Sequence, residues 1–306
     1  MACASRAGPV PVTSQTRAVV FAIITVLLWS TVATAFKFTL RSLDIFQLLF
    51  YACLTSALTL IIIIAARGQL GDLIRAFKQH WKITVIAGGL NPCLYYLVLF
   101  EAYDRLPAQV VQPINYTWAI TFAFMSIIFL KQKILWADIV AAFVCYAGVV
   151  VIATQGNFRQ FASSDLTGVA LALFSTIVWA SYWILNVRDP REPLTGICLN
   201  FMVALPVVAV ICQVYSGFAI PLTGLAGAVY VGLFEMSIAF LCWSIALRLS
   251  ENTSRVSNLI FLSPFLSLVF INRILGEAIF PTTYIGLIFI VCGLLYQQWS
   301  HTRTAS

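Results

Sequence analysis

Of the chain's 306 residues, 61% are hydrophobic and 9% are charged. A soluble domain carries about 25% charged residues, so a water-soluble globular fold is excluded and an integral membrane protein is expected, in line with a mean hydropathy of +0.95. The formal net charge of +7 is accounted for by topology, as set out below, and does not read as a nucleic-acid-binding patch.

Residues 1–17, with Pro9, Pro11 and several small polar residues, read as a disordered tail. Ten apolar runs follow, at about 18–37, 45–66, 82–103, 108–130, 134–154, 166–186, 194–215, 224–247, 254–275 and 280–299, and residues 301–306 form a second tail. Runs of about 17–25 residues match a helix crossing roughly 30 Å of hydrocarbon. Segments of about ten residues with strict alternation, the mark of a transmembrane barrel, are missing. The first run is longer than the apolar part of a signal peptide and lacks a small-residue cleavage site, so it is expected to be retained.

Along the chain, polar and aromatic residues gather in particular spans. Span one contains Leu28-Trp29-Ser30 and Thr34. Span three is broken by Asn91-Pro92, with Tyr95 and Tyr96 one turn on; Pro92 removes a backbone donor and frees the carbonyl of Gly88 for another partner. Span four is the most polar: Gln109, Gln112, Asn115, Tyr116 and Thr117 fall within nine residues, and Gln112, Asn115, Tyr116 and Ala119 share a face, with Trp118 beside them. Span six carries Trp179, Tyr182, Trp183 and Asn186. In span nine, Ser254, Ser257, Asn258, Phe261 and Pro264 mirror span four. Some of these aromatic rings, Trp29 and Trp183 among them, suit either the bilayer interface or a lining position.

Glu235, in span eight, is the one ionisable residue near the middle of a span. A carboxylate there costs about 2.5–3.5 kcal/mol on insertion scales, so it is expected to face a cavity or a partner. Ala228, Gly232, Ala239, Cys242 and Ala246 surround it at helical spacing, a small-residue stripe suited to close contact. The other cysteines, apart from Cys3, are scattered singly through the spans with no metal-ligand spacing and read as packing residues.

The chain repeats itself. Gly89-Leu90 matches Gly232-Leu233 and Arg105-Leu106 matches Arg248-Leu249 at a shift of 143, while Leu130 matches Leu275 and Gly148 matches Gly293 at 145. This divides the spans into two five-helix halves, 18–155 and 156–300. An odd number of spans forces the second half to enter the membrane from the opposite side, so the repeats have inverted topology, the arrangement of transporters with a midplane site between halves. With the N-terminus cytoplasmic, thirteen of the 18 Lys and Arg residues fall on the cytoplasmic side, which places both termini there by the positive-inside rule.

The ten spans, the duplicated unit, the Leu-Trp-Ser and Val-Trp-Ala pieces early in each half, and the Leu275-Gly276-Glu277 ending resemble the EamA family of the drug/metabolite transporter superfamily over nearly the whole chain. The resemblance implies an all-α integral membrane protein of ten transmembrane helices, folded as two inverted-topology five-helix repeats around a central cavity, in the bacterial inner membrane. Its amino-acid exporters are the nearest in kind. Two departures are visible. The first half ends in Leu130-Lys131-Gln132, so the ending motif is intact only once, and span one lacks the proton-exchanging Glu of small multidrug relatives.

The expected activity is therefore export of neutral metabolites, amino acids and in particular aromatic ones, with spans three, four, eight and nine as the wall. Asn91, Gln112, Asn115 and Asn258 are expected to offer hydrogen bonds and Tyr95, Tyr96 and Trp118 stacking surface, with Pro92, Tyr116, Trp179, Tyr182, Ser257 and Phe261 along the same path. Glu235 is the candidate proton or ammonium site. A phosphate-bearing substrate would want a fixed cation, and spans four and nine have none near their middles. The rival is a multidrug or organic-cation exporter using Glu235 and cation–π contacts. A membrane enzyme would need paired carboxylates, a zinc motif or a nucleophile with a base, and a passive structural role sits poorly with the two matched polar helices. No cofactor or metal is expected; the partners are a small-molecule substrate and the lipid bilayer, and the oligomeric state stays open.

Overall fold

A computed structural model of the chain describes residues 14–131, 135–155, 165–250, 256 and 258–305. They form α1 (Ser14–Thr39), α2 (Ile45–Ala66), α3 (Leu70–Arg105), α4 (Ala108–Leu130), α5 (Trp136–Thr154), α6 (Leu166–Arg188), α7 (Pro193–Tyr215), α8 (Leu222–Leu249), α9 (Leu259–Leu275) and α10 (Pro281–Ala305). Among the described residues nine helices are long and apolar enough to cross a membrane and α9 is a shorter apolar one. The chain is a multi-pass helical membrane protein of ten helices in two repeats. Most of the expected tail and the Ser254–Ser257 stretch, apart from Val256, lie outside the described residues.

Local chemistry sets several helix ends. Asp44 caps α2, its carboxylate accepting from the N–H groups of Phe46 (2.9 Å) and Gln47 (3.0 Å), which satisfies two of the donors every helix start leaves open. Asp165 caps α6 through the Gly168 N–H at 3.0 Å. At the far end of α9, Gly276 takes φ +73, the left-handed conformation that glycine enters without a Cβ penalty. Lys131, at the equivalent place after α4, adopts φ +56. The two endings therefore share a backbone turn although only one carries glycine.

Span three begins earlier than its hydropathy indicates. Helix starts at Leu70 and bends at His80 (φ −128, ψ 28). Before the bend, Leu70, Ile74, Phe77 and Trp81 form one exposed apolar stripe among Arg75, Lys78 and Lys82, the pattern of a segment lying at the membrane interface. Its polar residues dilute the hydropathy that marks a span, which is why the sequence places the start at 82.

Helix packing obeys a twofold exchange in which each helix trades places with the one five further on. The pairs α2–α7 and α5–α10 map onto themselves. Helix α1 packs against α8 and α9 of the other repeat, and α6 packs against α3 and α4; α3–α7 mirrors α2–α8. The first helix of each repeat is thus seated in the opposite repeat, and neither half closes alone.

Glycines allow the closest crossings. A Cβ on Gly232 would collide with the Ala52 carbonyl oxygen of α2, and one on Gly88 would stand 2.6 Å from the Asn200 carbonyl oxygen of α7. The packing equivalent of Gly232 is thus Gly88, one residue before the Gly89 that the sequence alignment pairs with it. At the α5–α10 crossing, a Cβ on either Gly148 or Gly286 would stand 2.5 Å from the other's carbonyl oxygen.

Candidate functional site

Between the repeats lies a cavity of about 490 Å³, within the range of small-molecule sites. Helix α4 supplies the longest stretch of wall, from Gln112 through Asn115, Tyr116 and Trp118 to Ser126. Tyr95, Leu99 and Tyr103 come from α3, Glu235 and Trp243 from α8, and Ile260 and Phe261 from α9. The wall also includes Trp29, Val32 and Phe36 of α1, Trp179 and Trp183 of α6, and Gln297 and Gln298 of α10. It is therefore wider than the four spans expected from sequence, because the twofold exchange seats α1 and α6 in the opposite repeat.

Glu235 stands where α8 loosens. Residues Val231–Ala239 form wide, π-type turns, a local expansion that often accompanies functional positions. The Ser237 hydroxyl helps satisfy the freed backbone by donating to the Gly232 carbonyl (2.7 Å). The Ser56 hydroxyl, 2.9 Å from Ser237 Oγ, donates to the Met236 carbonyl (3.2 Å), which ties the loosened turn to α2. Helix α3 is broken within Gly89–Leu94, where Asn91 is extended (φ −141, ψ 118), so both repeats are interrupted at corresponding places. Ala228, Ala239 and Ala246 are wholly buried, as the small-residue stripe requires.

The Glu235 carboxyl accepts a 3.2 Å hydrogen bond from the Tyr96 hydroxyl through Oε1, whereas Oε2 is buried without a hydrogen bond. The Trp29 indole N–H is within reach of the carboxyl but outside hydrogen-bond geometry. Among the lining residues Glu235 is the one formal charge, and no Lys or Arg joins it. The surroundings are aromatic. Tyr95 and Trp179 stack with centroids 4.5 Å apart, Trp118 and Trp183 stack at 6.4 Å, and Trp29 lies against Trp243 at 5.8 Å.

Polar groups are placed by a network that runs between repeats. Asn115 Oδ1 accepts from the Tyr95 hydroxyl (3.3 Å) while its Nδ2 donates to Ser175 Oγ (2.9 Å). Gln112 Oε1 accepts from Ser267 Oγ at 2.5 Å. These bonds fix the amides on α4 against α3, α6 and α9, and leave a mostly apolar space with a few oriented polar edges.

Of the residues singled out in the sequence, Tyr95, Gln112, Asn115, Tyr116, Trp118, Trp179, Glu235 and Phe261 line this cavity. Asn91, Pro92, Tyr96 and Tyr182 do not; they are buried behind it. Tyr96 reaches the site through Glu235. Asn91 is 0% exposed, and its side-chain amide finds no hydrogen bond of normal geometry. Ser257 lies outside the described residues, as does the side chain of Asn258. Sequence reasoning left Trp29 and Trp183 undecided and passed over Val32, Phe36 and Gln297. The i, i+3, i+7 spacing of Trp29, Val32 and Phe36 was the available signal for a shared face.

Comparison with known proteins is consistent across the two halves. The model of the EamA-like transporter family matches residues 16–154 and again 166–296. An uncharacterized transporter of Clostridium kluyveri is 28% identical over 208 residues, 64% of this chain and 64% of its own. The aromatic amino acid exporter YddG of Ancylobacter novellus is 26% identical over 241 residues, covering 77% of this chain and 81% of that protein. A solved crystal structure superposes over 95% of this chain and 100% of its own with a TM-score of 0.66 at 20% identity, a likeness of fold.

Proposed function

The chain belongs to the EamA-like transporter family, and from this we propose that it exports neutral amino acids, aromatic ones in particular, through the cavity between its repeats. The supporting observation is the cavity itself, about 490 Å³, walled by five tryptophans and a few fixed amides and hydroxyls, with no cationic side chain. Flat aromatic solutes fit such walls, and polar edges orient their ends. The name carried by the Ancylobacter relative points the same way. Asn115, Gln112 and Tyr116 supply hydrogen bonds, Tyr95, Trp118 and Trp179 supply ring faces, and Glu235 exchanges a proton or holds the substrate ammonium. The protein sits in a bacterial inner membrane with both termini cytoplasmic, as the distribution of Lys and Arg indicates, and its two repeats span about 18–155 and 156–300.

One observation favours a second reading, export of organic cations: the single carboxylate stands among aromatic faces, the surroundings that attract a cation. Proteoliposomes loaded with labelled tryptophan separate the two. Efflux that neutral amino acids compete for supports the first reading. Competition by lipophilic cations alone replaces it with the second. Imposing a pH gradient on the same vesicles shows whether Glu235 couples protons, with facilitated diffusion as the outcome if the gradient has no effect.

A further inference from the structure

The central cavity extends toward the face that carries both chain ends. Its outer lining residues Ser126, Leu247 and Gln298 lie near the C-terminal ends of α4, α8 and α10. At the opposite end, Phe36 and Tyr103 are buried, and beyond them the two repeats are bonded together. Glu277, in the link between α9 and α10, accepts from the backbone N–H groups of Ala108 (3.2 Å) and Gln109 (3.5 Å), which open α4. Gln109 completes the junction: its Nε2 donates to the Ala278 carbonyl (2.8 Å), and its Oε1 accepts from the Phe280 N–H (2.9 Å) and the Thr283 hydroxyl (3.1 Å). Arg41, just beyond α1, donates to the Leu275 carbonyl at 3.2 Å. Each of these bonds joins one repeat to the other. A depression of about 440 Å³ around Lys37, Pro107 and Glu277 shares no lining residue with the central cavity, so the junction separates the two.

In the other repeat, the positions that answer to Glu277 and Gln109 in sequence carry neutral or shorter side chains. At the shift of 145 that aligns Leu130 with Leu275, Gln132 stands for Glu277 and Ser254 for Gln109. Both lie outside the described residues, so the comparison is one of sequence. A neutral amide does not offer a helix N-terminus the charge-assisted acceptor that a carboxylate does, and serine is too short to bridge the backbone groups that Gln109 joins. Inverted repeats alternate by opening one junction as the other forms, so the relative strength of the two sets the resting population.

We propose that Glu277 and Gln109 form the latch that holds the face away from the chain ends shut. The resting protein is then open toward its termini, and the Glu277 carboxylate is what keeps this junction formed. The test is amide hydrogen exchange on the full chain in nanodiscs. In Glu277→Gln and in Gln109→Leu, exchange should rise roughly tenfold or more over residues 99–112 and 275–283. Reciprocally, it should slow over residues 119–131 and 243–250, as the population moves to the state open on the other side. Glu277→Asp, which keeps the charge, should shift both regions less. Faster exchange at the junction without reciprocal protection would mean a local structural role and would overturn the proposal, as would a wild-type pattern in both variants. If Glu277→Gln does not fold, Gln109→Leu, which retains the carboxylate, gives the same comparison.

Discussion

Tyr96 of α3 donates a 3.2 Å hydrogen bond to Glu235 of α8, so the one carboxyl on the cavity is held by a residue of the opposite repeat. Leaving a buried acceptor without its donor costs about 1–3 kcal/mol. Tyr96→Phe is therefore expected to lower thermal stability and to impair transport, with Glu235 unchanged. In a double-mutant cycle with Glu235→Gln the two substitutions should couple by about 1 kcal/mol, read from unfolding in detergent. Additive effects would mean that the bond carries no energy.

The α5–α10 crossing predicts a stability effect remote from the cavity. Because a Cβ at Gly148 or Gly286 meets the facing carbonyl oxygen at 2.5 Å, the helices must move apart to admit it. Gly148→Ala and Gly286→Ala should each cost about 1–3 kcal/mol. Differential scanning fluorimetry of the purified variants checks this.

The repeat, the inverted topology and the ten helices were legible because hydropathy and fixed offsets record them directly. Half of the site was legible for the same reason: Gln112, Asn115 and Tyr116 share a helical face that periodicity exposes. What the sequence concealed follows from the exchange of helices between repeats. Nothing in span one says that Trp29 will stand beside Glu235, more than two hundred residues away, since that depends on α1 packing against α8. Asn91 shows the opposite case. Its polarity suggested a lining role, yet the break in α3 at this residue leaves it wholly buried, a direction that spacing on a regular helix does not predict.

Asp189 and Arg191 join the α6–α7 link to α3. Arg191 Nη2 lies 2.5 Å from Asp189 Oδ2, with the two side chains 2% and 10% exposed, and its Nη1 donates to Thr84 at 2.6 Å. Burial alone would raise the Asp189 carboxyl, but the hydrogen bonds and charge of Arg191 outweigh it and hold the group below its ordinary value of 3.8. An acid depressed in the folded state gives stability that is complete above its unfolded pKa and lost as pH falls through the folded one. Asp189→Asn should cost on the order of 2 kcal/mol near neutral pH, because Arg191 is left buried without its anion. The gap to the wild type should shrink as pH falls below 3.8. A gap that is the same at acid and neutral pH would show that the charge is not its source.

At the left-handed position of the matched turns after α4 and α9 stand Lys131 and Gly276. Gly276→Ala should cost about 1 kcal/mol, because the new Cβ is strained there, whereas Lys131→Gly should be neutral or mildly stabilising. Chemical denaturation of the two variants side by side measures the difference. A cost for Lys131→Gly as large as that for Gly276→Ala would mean that the lysine side chain is held by interactions that outweigh the strain.

Trp179 links the aromatic wall to the polar network. It stacks on Tyr95 at 4.5 Å and meets Trp183 edge-on at 6.0 Å, while Tyr95 in turn donates to Asn115. Removing the indole should weaken both ring contact with the substrate and the placement of Asn115. Aromatic pairs contribute about 0.5–1.5 kcal/mol beyond area burial, so Trp179→Leu should raise the KM for tryptophan export by roughly tenfold, with a smaller effect on the maximal rate. Asn115→Ala should act on the same parameter, and the double variant should fall short of the product of the two, since both act through Tyr95. If instead Trp179→Leu lowers the maximal rate at an unchanged KM, the ring serves the motion of α6 against α3 and not the binding of the solute.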